Sequence, residues 1–278
     1  MAASESLVEI PGDPPIFGIF HPAGLVPAKA AVLWLHGWSG NRQGPNRLFV
    51  DLARELPGVA SLRVDLPGHG ETPAGASGVT VDAMIESAVR AAAFLRKHSG
   101  AFRIALAGVC SGGNVAMGAA TLEAPEGLIL LSTPPFREQR QRGSTARRRF
   151  RVLLALAGRF FSGGWRRLLR GEANMRAAAR YVRGDAPGEG DPRDSARDIP
   201  KALSGFRGRV FLAYGTRDTE SENGPEAFEA LFRGKGCDVG RISIEGANHN
   251  FYDFDWRERL RSEIGSWLAD VDKFPRNN

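Results

Sequence analysis

Short apolar runs alternate along the chain with stretches whose apolar residues recur at helical spacing. PIFGIF at 15–20 and AVLWLHG at 31–37 read as strands. Residues 46–56 carry Leu48, Phe49, Leu52, Ala53 and Leu56 on one stripe and predict a helix. SLRVDLPG at 61–68 predicts a strand running into a turn. Residues 81–98 place Met84, Ala88, Ala91, Ala92 and Leu95 on one helical face. RIALAGV at 103–109 reads as a buried strand, 112–122 as an alanine-rich helix and GLILLS at 127–132 as a strand. RVFLAYG at 209–215, residues 226–232, CDVGRISIEG at 237–246 and residues 256–271 then repeat strand, helix, strand, helix. Strands that are apolar throughout, separated by helices, predict an α/β domain with a mostly parallel sheet covered on both faces.

The rhythm breaks between 136 and 198. FRVLLALAGRFF at 150–161 and WRRLLRGEANMRAAARYV at 165–182 are helix-like, and GDAPGEGDPRDSARD at 184–198 is an acidic loop rich in Gly and Pro. The expected organisation is a core part at 1–135, a basic helical lid insertion at 136–198 and a second core part at 199–278. The 278 residues suit one domain with an insert. No stretch approaches the roughly 20 apolar residues that span a bilayer. The start, MAASESLVEIPGDPP, lacks a basic region followed by an apolar one, so no signal peptide is expected. Two cysteines, Cys110 and Cys237, make no disulfide framework, and the expected location is cytoplasmic.

The chemistry concentrates in RIALAGVCSGGNVAMGAA at 103–120. A strand runs into Gly108-Val109-Cys110-Ser111-Gly112, and a helix follows. Glycines two before and two after the central residue let the backbone pass close by, and the sharp turn exposes the side chain. The positive end of the next helix lies beside it. A thiol at that centre is a strong nucleophile, readily ionised by a neighbouring histidine. Ser111 is the rival nucleophile by side chain, one residue off the centre.

LHGWSG at 35–40, DLPGHGET at 65–72, GVCSGG at 108–113, YGTRD at 214–218 and GANHNF at 246–251 occur in the order and approximate spacing of the α/β-hydrolase superfamily. The chain resembles that superfamily over nearly its whole length. The resemblance implies the α/β-hydrolase fold, with Asp218 as acid and His249 as base. The cysteine variant is similar to dienelactone hydrolases and thioesterases. It resembles more closely the cysteine-bearing hydrolases associated with exosortase systems, through NRQGPNRLFVDLAREL at 41–56 and GWRRLLRGEANMR at 164–176. Ser111 departs from the acidic residue usual after the cysteine in that group.

The local sequence gives a parallel argument. His249 follows a strand and a short turn, where a loop can return over the sheet and an imidazole can take the thiol proton. Asp218 ends another strand and can orient that ring, with Glu220 and Asp65 as competing acids. The oxyanion hole is expected from the backbone N–H groups of Ser111 and Trp38. His36 and His69 read as turn-bracing residues. No cofactor is expected: neither metal-ligand spacing nor a dinucleotide or phosphate-loop signature is present.

Residues 137–183 contain fourteen arginines and two acids, Glu138 and Glu172, a local charge of +12 in a chain of +6. The remainder is therefore acidic. Arginine binds phosphate and carboxylate in bidentate fashion. The expected partners are an acidic acyl- or peptidyl-carrier protein, or coenzyme A, presenting a thioester on phosphopantetheine. The bland alternative is an arginine-rich face that only solvates its helices. No nucleic-acid-binding module frames the arginines, so nucleic acid is not expected. Phe150, Leu154, Phe161, Trp165 and Leu169 are expected to form the lid and the acyl pocket. The expected function is a cysteine-dependent thioesterase or esterase passing through acyl-Cys110. The alternatives are an acyltransferase or cyclase, and a non-catalytic hydrolase-like binding protein.

Overall fold

Strands buried on both faces must be sandwiched between helices, and the carboxyl ends of such strands are left free to carry side chains. The computed structural model describes residues 4–24, 28–136, 194–270 and 274. Its contacts divide the chain into Met1–Pro135 with Pro192–Asn278, and Phe136–Asp191. The expected lid residues Phe150, Leu154, Phe161, Trp165 and Leu169 lie outside the described residues.

The first of these units is built on eight strands: β1 (Ser6–Ile10), β2 (Ile16–His21), β3 (Ala30–Leu35), β4 (Val59–Val64), β5 (Ile104–Val109), β6 (Gly127–Leu131), β7 (Arg209–Gly215) and β8 (Val239–Ile244). They form one sheet in the order β1-β2-β4-β3-β5-β6-β7-β8. β1 and β2 pair antiparallel, β2 joins β4 antiparallel, and every pairing from β4 through β3 to β8 is parallel. Every residue of β3, β4, β5 and β6 is buried.

The described helices are α1 (Leu48–Glu55), α2 (Val81–Ser99), α3 (Ser111–Ala119), α4 (Gly224–Arg233) and α5 (Phe254–Ala269), with a one-turn helix at Ile199–Ala202. On one face Val32, Trp34, Ala107, Ile129 and Phe211 pack under Leu48, Leu52, Leu260, Ile264 and Trp267 from α1 and α5. Alternate strand residues such as Leu33, Leu106 and Leu130 point to the other face, where α2 and α3 pack together. α2 is capped at both ends. The Thr80 side chain accepts from the Ala83 N–H, and Gly100 ends the helix at φ 65. β1 lies outside the elements that the apolar pattern predicts. α1 starts at Leu48, two residues after the predicted 46, because Asn46 and Arg47 take positive φ (49 and 65) in the turn before it.

Candidate active site

β5 passes into α3 through one residue, Cys110, at φ 55 and ψ −132. A non-glycine residue in that region is strained and persists only where its surroundings impose it. The Cys110 N–H donates to the Leu131 carbonyl at 2.9 Å, and the Gly113 N–H donates to the Cys110 carbonyl at 3.0 Å. A Cβ on Gly108 would lie 2.2 Å from the Gly112 carbonyl carbon, and one on Gly112 would lie 2.2 Å from the Leu35 carbonyl oxygen. These two glycines let β5, α3 and the end of β3 converge. The result is a half-buried thiol at the helix N-terminus.

His249 stands in the turn after β8 and is buried. Its Nδ1 lies 2.9 Å from Asp218 Oδ1. Asp218 follows β7, and its Oδ1 also accepts the N–H groups of Glu220 at 3.0 Å and Ser221 at 3.1 Å. Burial alone would raise the Asp218 pKa. The hydrogen bond and charge of His249, with help from Ser132 and the Ser221 amide, prevail and hold it below the usual carboxylate range. Burial also works against a charged His249. The Asp218 hydrogen bond, the Cys110 thiol and the charges of both outweigh it and raise the imidazole to about 10. The Cys110 thiol is thus close enough to act on the charge of the ring, although no hydrogen bond of ordinary geometry closes on Nε2. Catalytic hydrogen bonds are often long before substrate arrives.

The competing acids do not share the Nδ1 contact of Asp218. Glu220 Oε2 lies 3.8 Å from Nε2, on an exposed side chain. Asp65 is fully buried and braces its own turn, accepting the Arg42 N–H at 2.7 Å and the Glu71 N–H at 3.0 Å and pairing with the Arg42 guanidinium. Cys237 is buried 3.6 Å from the Phe206 carbonyl oxygen, and burial pushes its thiol pKa up.

Trp38 follows β3, and its N–H donates to the Ser111 hydroxyl at 2.7 Å. Its carbonyl accepts from His69 Nε2. His36 Nδ1 donates to the Gly37 carbonyl at 2.7 Å, and its Nε2 accepts the Leu66 N–H at 2.9 Å. Burial lowers the His36 pKa to about 4, so this ring is neutral at pH 7 and ties two loops together. Two serines unremarked in the sequence also support the histidine. Ser221 Oγ donates to the Ser132 carbonyl at 2.6 Å and lies 3.3 Å from His249 Nδ1. Ser132 holds φ 44 at the end of β6. Neither residue belongs to a motif; only their positions just beyond strand ends could have signalled them. The imidazole of His249 is bonded to the carboxylate of Asp218, and the Cys110 thiol stands at the strained turn before α3; these are the kinds of group that nucleophilic acyl transfer uses. Among the described residues, no group of His, Cys and acidic side chains could hold a metal ion.

A search of curated proteins returned no significant match. Solved structures resemble the chain strongly in shape and weakly in sequence. An esterase of Pyrococcus furiosus superposes with a TM-score of 0.66 at 18% identity, covering 96% of this chain and 91% of its own. A proline iminopeptidase of Mycobacterium smegmatis gives 0.66 at 18% identity, covering 96% of this chain and 99% of its own. A dienelactone hydrolase of Anabaena variabilis gives 0.62 at 14% identity, covering 97% and 99%. At such identities the likeness establishes the fold. Residues 32–261 match the alpha/beta hydrolase family, described as such. With strand order, crossing pattern and sequence profile in agreement over most of its length, the chain belongs to the alpha/beta hydrolase family.

Proposed function

We propose that the protein is a cysteine-dependent acyl-transfer hydrolase, a thioesterase or esterase, acting through an acyl-Cys110 intermediate. The observation that carries this is Cys110 held at φ 55 on the β5–α3 turn, with a buried His249 anchored 2.9 Å from Asp218. The esterase and dienelactone hydrolase among the structural neighbours favour ester or thioester chemistry. The likeness to cysteine-bearing hydrolases associated with exosortase systems favours the sulfur nucleophile.

In the first half-reaction the Cys110 sulfur attacks the acyl carbonyl while His249, whose raised pKa keeps the ring protonated near neutral pH, holds the proton. The tetrahedral oxyanion forms beside the Ser111 N–H at the α3 N-terminus, where the helix dipole favours negative charge. His249 then protonates the leaving alcohol or thiol as its bond to the acyl carbon breaks. In the second half, His249 takes a proton from water, the hydroxide attacks the acyl-cysteine, and the Cys110 sulfur leaves with the acid as product. Asp218 holds the ring in one tautomer and stabilises its charged form.

A cysteine in place of an oxygen nucleophile also favours a second reading, acyl transfer to a thiol. An acyl-cysteine and another thioester are nearly equal in energy, so exchange between them is close to reversible. Fourteen arginines within residues 137–183 suit delivery from an anionic carrier. Product analysis separates the readings. Incubation with an acyl-thioester alone should release free acid. Adding a thiol, amine or alcohol acceptor diverts the acyl group only if transfer operates. Cys110→Ala should abolish both reactions, and full turnover by that variant would overturn the proposal.

A further inference from the structure

The Ser111 side chain has an unusual attachment. A serine at a helix cap turns its oxygen toward its own helix's free amides, but in α3 the cap position belongs to Cys110 and Ser111 is the first helical residue. Ser111 instead accepts the Trp38 N–H, 73 residues away, at 2.7 Å. The loop it reaches lies close to the nucleophile, since a Cβ on Gly37 would stand 3.0 Å from Cys110 Cβ and 3.6 Å from Cys110 Sγ. The Trp38 N–H is thus committed to a hydroxyl rather than free for substrate. The peptide is also fixed from its other side, because the Trp38 carbonyl accepts from His69 Nε2. His69 Nδ1 is itself set 2.9 Å from the Pro67 carbonyl oxygen. A peptide held through both neighbours has little freedom to swing its N–H toward an incoming oxyanion.

A hydroxyl has one proton to donate besides the lone pairs that accept. Among the described residues, no acceptor takes the Ser111 hydroxyl proton; its one bond there is the one it accepts from Trp38. Accepting an N–H bond polarises a hydroxyl and strengthens it as a donor. We infer that the Ser111 hydroxyl is itself an oxyanion donor. The Trp38 N–H acts through it, as a chain running from N–H to O–H to oxyanion, and the Ser111 N–H supplies the second contact from the same residue. No proton leaves the serine; the hydroxyl only directs its hydrogen at the charge that develops on the carbonyl oxygen. This inference rests on the acyl-Cys110 reading and assigns Ser111 a catalytic role within it.

The test compares two reactions at Cys110, each followed by intact mass. Acylation by an acyl-thioester builds an oxyanion. Alkylation by iodoacetamide builds none and reads only the thiol. Ser111→Ala should acylate about 100- to 1,000-fold more slowly than the parent, in line with loss of one oxyanion donor, while its alkylation rate stays unchanged. Ser111→Thr, which keeps a hydroxyl, should recover most of the acylation rate. Acylation by Ser111→Ala as fast as the parent or faster would mean that the hydroxyl merely occupies the Trp38 amide, and overturns the inference. Equal slowing of acylation and alkylation overturns it too, as does a Ser111→Thr variant as slow as Ser111→Ala. A parent protein that is alkylated but never acylated sinks the reading on which the inference rests, and the inference with it.

Discussion

The charge state of one imidazole governs the proposed chemistry. An unperturbed histidine titrates near 6.5, whereas His249 is raised to about 10 against the opposing effect of burial. Its main support is Asp218, 2.9 Å away. Asp218→Asn keeps the shape and removes the charge. The histidine ring resonance of His249, followed by NMR against pH, should then titrate well below 10; an unchanged midpoint would contradict the role given to Asp218. Stability follows with a definite sign. The raised histidine contributes fully below about 6.5 and loses its contribution as pH climbs through about 10. The depressed Asp218 contributes above the ordinary carboxylate value of about 3.9 and loses its contribution as pH falls through its own lower pKa. The melting temperature of the parent should therefore exceed that of Asp218→Asn most between about pH 4 and 6.5. The gap should close as the pH rises through about 10 and again in strong acid.

The site depends at the next scale on how closely the end of β3 approaches the start of α3. Gly112→Ala would set a methyl 2.2 Å from the Leu35 carbonyl oxygen, a backbone atom that cannot yield cheaply. We expect a loss of about 1–3 kcal/mol in urea unfolding, as for overpacked interiors, with acylation lost as the turn reopens. Gly205→Ala meets nothing within 4 Å and should change stability by less than about 0.5 kcal/mol, as surface substitutions do. Equal effects of the two substitutions would refute the crowding argument. Several elements are legible from pattern alone. RVFLAYG becomes β7 at the residues expected, and α2 ends one residue beyond its predicted stop. β1 escapes because SLVEI is a largely exposed edge strand, with only Ile10 buried. Its partner β2, not its own pattern, makes it a strand. The positions of Cys110 and Asp218 just past β5 and β7 are legible because each stands where an apolar run ends in a turn, and His249 because the alternating strand β8 ends in a glycine turn before it. The hydroxyl contact of Ser111 is not legible. It arises from a meeting of segments 73 residues apart, and no periodicity encodes that.

Across the whole molecule the charge is divided, with +12 in residues 137–183 of a chain whose net charge is +6. If those arginines recruit an anionic carrier, kcat/KM for a carrier-bound thioester should fall with added salt, since screening lengths are about 8 Å at physiological ionic strength. A small neutral thioester bearing the same acyl group should respond little. Reversing arginines of this segment should depress only the carrier-bound reaction, and equal salt responses would leave the segment without a docking role. The central claim is narrower than any partner and has a direct test. The protein is mixed with a panel of acyl-thioesters, quenched in acid, and its intact mass and peptides are measured. The account predicts a mass increase equal to one acyl group, located on Cys110 and missing from Cys110→Ala. An adduct on Ser111, or turnover with no adduct at any time and undiminished in Cys110→Ala, would contradict it.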